Sequence, residues 1–266
     1  MKCERIYLTE NNKDVYLDTF IPDKFENRLA SAVLVIPGGG YSKVCYDREG
    51  DPIALHFAAS GFNAYVLHYS VGEKALFPRP LIEASLAMKY IKDNAEKDGT
   101  DKDRVFVNGY SAGGHLCVAL SCLWHLPEIY DSVDMPYGYN KPCGMLPIYP
   151  VVSGLVKGAH LGSFYNILGT QTPSFTELEK YSLETCIDEK CCPAFIAHGA
   201  NDEMVSVRNS LVLANALSDY NIPYEMHIYP DALHGFALAN KITGWVVPDA
   251  QNWIFDAVKW INKFDD

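Results

Sequence analysis

Arg104-Val105-Phe106-Val107-Asn108-Gly109-Tyr110-Ser111-Ala112-Gly113-Gly114-His115-Leu116-Cys117-Val118-Ala119-Leu120 is the stretch that decides the fold. Its first residues, Arg104–Val107, have strand character. Ala112–Leu123 follow as a helix rich in small and apolar side chains. Gly109-Tyr110-Ser111-Ala112-Gly113 fills the junction. A serine at so sharp a strand-to-helix turn sits in a strained backbone with its Oγ aimed outward. Glycines two before and two after it keep Cβ atoms away from the neighbouring chain. The helix N-terminus directs N–H groups toward developing negative charge. G-x-S-x-G alone is common by chance and would suit an ordinary glycine-rich turn. Its place between strand and helix gives it meaning.

Outward from this junction, strand and helix patterns alternate. Ala32-Val33-Leu34-Val35-Ile36 is a continuous apolar run closed by Pro37 and three glycines, as in a strand buried on both faces. Val15–Ile21 alternates and reads as an early antiparallel strand. Asn63–His68, Ile148–Val152, Ala194–Ala197 and Glu225–Tyr229 are further strands. Leu81, Ala84, Met88 and Ile91 share one helical face, with Pro80 in the first turn. Val207, Leu211, Ala214 and Leu217 repeat that spacing, and Trp253, Ala257, Trp260 and Phe264 form the stripe of a last helix. Such alternation predicts an α/β fold with a mostly parallel sheet and helices on both faces. Ligands in such sheets bind beyond the carboxyl ends of the strands, so reactive residues are expected just after strand patterns.

A serine needs a base. Of eight histidines, His234 alone follows the last strand pattern within a turn, Asp231-Ala232-Leu233-His234-Gly235-Phe236. His198, at a strand end, is expected to pack under the acid loop. His115, one helical turn past the serine, is expected to be a structural support. The base in turn needs an acid to fix its tautomer. Asp202, in His198-Gly199-Ala200-Asn201-Asp202, stands after the strand at 194–197. Glu203 and Asp231 are alternatives, the first expected to face solvent and the second to require a tight loop. Pro37-Gly38-Gly39-Gly40-Tyr41 follows the strand at 33–36. Its glycines let backbone N–H groups approach a substrate, so the oxyanion donors are read as Ala112 N–H with Gly39 or Gly40 N–H.

Gly-Gly-Gly-Tyr at 38–41, Gly-Tyr-Ser-Ala-Gly-Gly-His at 109–115, His-Gly-x-x-Asp-x-x-Val at 198–205 and His-Gly-Phe at 234–236 resemble the α/β-hydrolase esterases. The likeness is greatest to bacterial acetyl esterase and acetylxylan esterase-like proteins, and it runs from about Ala32 to the C-terminus. It implies a catalytic Ser111–His234–Asp202 triad and an eight-stranded, mostly parallel sheet. Hormone-sensitive-lipase-type relatives begin the oxyanion motif His-Gly-Gly-Gly. Pro37 stands at that His here, which favours the acetyl-esterase branch.

Composition narrows the partners. A net charge of −11 over 266 residues, with no basic stripe, speaks against nucleic acid. No apolar run approaches the ~20 residues that span a bilayer. The polar start, Met1-Lys2-Cys3-Glu4-Arg5, lacks a signal segment, so a cytoplasmic protein with reduced thiols is expected. Cys186, Cys191 and Cys192 cluster in sequence, but no C-x-x-C occurs and no histidine stands at ligand spacing beside them. No metal or cofactor is expected. A single domain over residues 1–266 is expected, with cap or rim loops around 124–143 and 154–188. Tyr41, His160, Phe164 and Tyr165 are the residues expected to line the substrate pocket. The expected partner is a small-molecule or oligosaccharide ester, short acyl groups first. Thioester, lactone and formamide hydrolysis, a serine peptidase, and a non-catalytic receptor on the same fold are the competing readings. The sequence leaves the oligomeric state open.

Overall fold

A computed structural model describes residues 1–23 and 29–264 of the chain. Its strands are β1 (Lys2–Tyr7), β2 (Tyr16–Ile21), β3 (Ala30–Ile36), β4 (Asn63–His68), β5 (Thr100–Tyr110), β6 (Gly144–Ile148), β7 (Ala194–Gly199) and β8 (Tyr224–Tyr229). Between them lie α1 (Tyr46–Glu49), α2 (Asp51–Ala59), α3 (Arg79–Asp93), α4 (Ala95–Asp98), α5 (Ala112–Cys122), α6 (Pro127–Ser132), α7 (Leu161–Leu168), α8 (Phe175–Lys180) and α9 (Arg208–Asp219). Helix α10 (Trp253–Asn262) follows the last strand.

The strands form one eight-stranded sheet in the order β1-β2-β4-β3-β5-β6-β7-β8. Pairings from β4 through β8 are parallel, and β2 runs antiparallel to both its neighbours. From β3 the chain steps to β4 on one side, then returns to β5 on the other. The loops after β3 and β5 therefore leave in opposite directions and open a crevice at the sheet's carboxyl edge. Into that crevice go the glycines after Ile36 and the serine after Tyr110.

Both faces of the sheet are covered. Leu34, Ile36 and Val107 share a core with side chains of α3, α5 and α9. Val33, Val35 and Phe106 pack on the opposite side against α2 and α10. Leu81, Ala84, Met88 and Ile91 of α3 are all fully buried, as their spacing predicts. Every residue of α5 is buried.

Two readings differ from the structure. The segment Ile148–Val152 is not a strand. β6 runs from Gly144 to Ile148, because Tyr149 turns into the left-handed region at φ 38° and the apolar residues after it are buried as a loop. β1 is an additional strand. Its Lys2, Glu4 and Arg5 hide any alternation, yet it pairs along β2, and Arg5 Nε meets Asp18 Oδ1 at 2.8 Å across the register. Charge on an exposed edge strand discourages further pairing. The segments 124–143 and 154–188 carry α6, α7 and α8 as well as loops.

Among the described residues, no helix is long and apolar enough to cross a membrane, and no cluster of His, Cys, Asp and Glu could hold a metal ion. The cysteines are free thiols.

Met88 lies at the centre of the α3 face with no exposed surface. Met88→Ala should lower unfolding stability by about 2–5 kcal/mol. Urea titration would show this as a lower midpoint at an unchanged slope. A loss well under ~1 kcal/mol would mean that the α3 face is not packed as described.

Candidate active site

β5 delivers its last residue, Tyr110, directly to Ser111, and α5 begins at Ala112. Ser111 has φ 54° and ψ −118°, a conformation an L-residue holds only under constraint. The constraints are visible. Its N–H donates to Ile148 O (3.2 Å), and its carbonyl accepts from Val151 N–H (2.9 Å) and His115 N–H (3.1 Å). Gly113 explains how the helix comes so close: a Cβ there would lie 2.1 Å from Ile36 O.

Ser111 Oγ is 2.8 Å from His234 Nε2, and His234 Nδ1 is 2.7 Å from Asp202 Oδ2. Three loops, after β5, β7 and β8, thus bring hydroxyl, imidazole and carboxylate into one hydrogen-bonded line. Carboxylate and carbonyl acceptors settle the tautomers. Nδ1 of His234 donates to Asp202, which leaves Nε2 free to accept from Ser111. His198 lies beneath, fully buried. Its Nε2 faces Val205 O (2.9 Å) and Asp202 Oδ2 (3.3 Å), and its Nδ1 meets Ser210 Oγ (2.7 Å). Asp202 Oδ1 also accepts the N–H groups of Met204 (3.0 Å) and Val205 (2.8 Å). Burial alone would push the Asp202 carboxyl up. Hydrogen bonds from His198 and His234, attraction to His234 and the Val205 N–H outweigh it and hold the group well below the usual carboxylate range. Glu203 and Asp231 are exposed and stand outside this line.

The loop at 37–41 is fixed through its carbonyls. Pro37 O accepts from Tyr69 O–H (2.8 Å), and Gly40 O from the Asn166 side-chain amide (2.8 Å). Gly38 O accepts from Cys45 N–H, Gly39 O from Ser42 and Lys43 N–H, and Tyr41 O from Gly72 N–H. Gly39 (φ 127°) and Gly40 (φ 64°) adopt backbone conformations that favour glycine. Among the described residues their N–H groups have no intramolecular acceptor. The Ala112 N–H, at the first position of α5, belongs to the helix turn that has no carbonyl partner within its own helix. These are the groups read from the sequence as oxyanion donors, and the geometry leaves them available to a developing negative charge.

The four residues expected to line a pocket divide. Tyr41 and Phe164 have no exposed surface and present none to a substrate. Tyr41 lies inward because its O–H bonds to His115 Nδ1 (2.9 Å), while His115 Nε2 bonds to Tyr181 O (2.9 Å). Phe164 packs edge-on to the same imidazole. His115 is thus an internal support for the loop at 37–41. His160 and Tyr165 are half-buried. His160 bonds Ser163 Oγ (2.9 Å) and faces Gly40, where a Cβ would lie 3.7 Å from its Cε1. Burial, then repulsion from His234, pushes the His160 imidazole down from its ordinary value.

Three residues at the site carried no recognisable sequence signal. Asn166 lies in a segment that reads as rim loop. Glu49 reads as one charge among several, and Tyr149 as part of a strand. Only coordinates bring them to the loops at 37–41 and 234–237.

Known proteins resemble this chain in sequence and fold. The BD-FAE family model matches residues 17–141, and that of the dienelactone hydrolase family matches residues 164–264. The chain is 31% identical to MGS-M1, an α/β-hydrolase enzyme from a Medee basin deep-sea metagenome library, with a TM-score of 0.78 and coverage of 99% of this chain and 97% of that one. With the acetyl ester-xyloside bifunctional hydrolase of Caldicellulosiruptor lactoaceticus it shares 28% identity, a TM-score of 0.84, and 98% and 96% coverage. Endo-1,4-beta-xylanase B of Butyrivibrio fibrisolvens is 33% identical over 85% of this chain and 36% of its own length. An acetylxylan esterase of Xylanibacter ruminicola is 25% identical over 88% of this chain and 47% of its own. The chain thus spans less than half the length of these two curated relatives. It belongs to the α/β-hydrolase family, and its homologues include esterases.

His115 generates a pH prediction. Burial pulls its imidazole down to about 4, only partly offset by the bond to Tyr181 O. Below the unfolded value near 6.5 the unfolded chain binds a proton that the folded one refuses. Stability contributed by neutral His115 is therefore full above about 6.5 and lost as pH falls toward about 4, a change of roughly 3 kcal/mol. Asp202, with its lowered value, adds its own loss at more acid pH. Urea midpoints measured from pH 7 to 4 should fall steeply in the wild type and more gently in His115→Gln. Parallel curves would contradict the buried neutral imidazole.

Proposed function

We propose that this protein is a serine carboxylesterase that hydrolyses short-chain acyl esters, acetyl esters of sugars or xylo-oligosaccharides first. The observation that carries the reading is the line from Ser111 Oγ through His234 to Asp202, at 2.8 and 2.7 Å.

In this reading Ser111 Oγ attacks the ester carbonyl carbon as His234 Nε2 takes its proton. Asp202 steadies the imidazolium without becoming protonated itself, as its low-lying carboxyl favours. The carbonyl oxygen, now negative, receives the N–H groups of Ala112 and of Gly39 or Gly40. One such donor is typically worth about 10²–10³ in kcat. The C–O bond to the alcohol breaks, and His234 returns the proton to the leaving oxygen. Water, giving a proton to the same imidazole, then attacks the acyl carbon; the bond to Ser111 Oγ breaks, the carboxylic acid leaves, and His234 returns the proton to Oγ. Water apart, the groups that act on the substrate in this reading all belong to this chain.

Similarity supports the substrate class. A relative is an acetylxylan esterase, another is a xylanase, and a structural neighbour is an acetyl ester-xyloside hydrolase. A small-molecule or oligosaccharide acetyl ester is therefore the substrate proposed, with neither nucleic acid nor membrane as partner.

Deacetylation of acetylated xylo-oligosaccharides, alongside nitrophenyl esters of about two to eight carbons, tests the reading, since one methylene is worth only ~1–3 kcal/mol to a pocket. Rates should be greatest at two carbons, and Ser111→Ala should lower kcat by roughly 10⁴–10⁶. A folded Ser111→Ala protein with wild-type turnover would overturn the mechanism. A maximum at long chains would overturn the substrate class.

A further inference from the structure

Glu49 closes helix α1 with a side chain only 3% exposed, and no step above uses it. A carboxylate is rarely buried this deeply unless its environment binds it. Its two oxygens reach in different directions. Oε2 accepts the N–H of Gly38 at 2.8 Å, next to the Gly39 and Gly40 donors. Oε1 accepts the Tyr149 O–H at 3.0 Å. The same Tyr149 oxygen accepts the N–H of Ala237 at 3.1 Å, three residues beyond His234. The Tyr149 ring stands edge-on to the His234 ring, with centroids 5.1 Å apart, and to that of Phe236 at 4.7 Å. Tyr149 and Ala237 both have positive φ, so this bridge joins two backbone turns that need external restraint.

Gly38 is what admits the carboxylate. A Cβ there would lie 2.9 Å from Glu49 Oε2 and 2.8 Å from Ser111 Cβ, so the peptide is wedged between nucleophile and acid. Around Glu49, Arg48 Nε lies 4.0 Å from Oε1, and the other titratable neighbours are Cys45, Tyr69, Tyr110, Tyr149 and His234. His234 itself is faced by Asp202, Tyr149, Glu49 and His160. Burial pushes the Glu49 carboxyl up from its ordinary value, only partly offset by the Gly38 N–H, Arg48, the Tyr149 hydroxyl and His234.

We infer that Glu49 is a positioning residue: its carboxyl group locks the oxyanion loop to the histidine loop through Gly38 and Tyr149. The inference rests on the esterase reading above. Glutamine at 49 would fill the same space, but its amide offers one acceptor in place of two. Either the Gly38 N–H or the Tyr149 O–H then loses its acceptor.

Wild type, Glu49→Gln, Tyr149→Phe and the double variant would be compared with p-nitrophenyl acetate across pH 5–9. Active sites would be counted by fluorophosphonate labelling of Ser111, and melting temperature recorded. Glu49→Gln should lose about 10–100-fold in kcat per labelled site with KM changed less than about threefold. Tyr149→Phe should lose about tenfold, and the double variant little more than Glu49→Gln alone, since both break one chain of bonds. Wild-type kcat per labelled site in Glu49→Gln would overturn the inference, even if fewer molecules fold. If Glu49→Gln does not fold, wild-type kcat in Tyr149→Phe overturns it instead. A wild-type protein that hydrolyses the ester while both variants match it defeats this inference alone. One that neither hydrolyses nor labels at Ser111 defeats the esterase reading with it.

Discussion

Ser111 is held at φ 54° by the backbone around it, and most of the architecture contributes to holding it there. A residue in such a region costs about 1–3 kcal/mol and persists only when its surroundings over-determine it. Here Ile148, at the end of β6, accepts its N–H, and Val151 and His115 donate to its carbonyl. Helix α5, buried along its whole length, presses the turn against the end of β3 through Gly113. The strain leaves the hydroxyl pointing into the crevice where β3 and β5 part company. Without the sheet's reversal of direction there would be no crevice, and without the turn nothing would stand in it.

What the sequence made legible follows from this. Ser111, Asp202 and His234 each lie just past a strand, so a reader who finds the strands finds the residues. The strands in turn are legible because parallel strands buried on both faces are continuous apolar runs. Where a strand was charged and at the edge, as in β1, the pattern vanished. Where apolar residues lay in a buried loop, as at 149–152, the pattern overreached. Residue type also misled at the pocket. Tyr41 and Phe164 are aromatic beside a glycine loop, but which side of that loop they occupy is fixed by His115, a partner in another element. Glu49 and Asn166 were illegible for the opposite reason. Carboxylates and amides usually lie in water, and only the fold brings these two against Gly38 and Gly40.

Electrostatics around the histidine is layered. Asp202 is held by two imidazoles and two backbone N–H groups, so it stays an acceptor while His234 changes charge. His198 fills the far side of that carboxylate and is anchored by Ser210 and Val205. His115, by contrast, is kept neutral by burial and serves as a spacer between Tyr41 and Tyr181. Three histidines on one fold thus have three different tasks, and the difference lies in their acceptors and not in their sequence neighbours.

The amide of Asn166 reaches out of α7 to the carbonyl of Gly40. That helix lies within the stretch 154–188, which the sequence reads as a rim loop. On the same stretch His160 and Tyr165 are half-buried, and His160 faces Gly40 itself. Remodelling this stretch would loosen the loop at 37–41 in the same stroke. Rim and glycine loop are mechanically yoked here, so a change in the outer helix is felt at position 40.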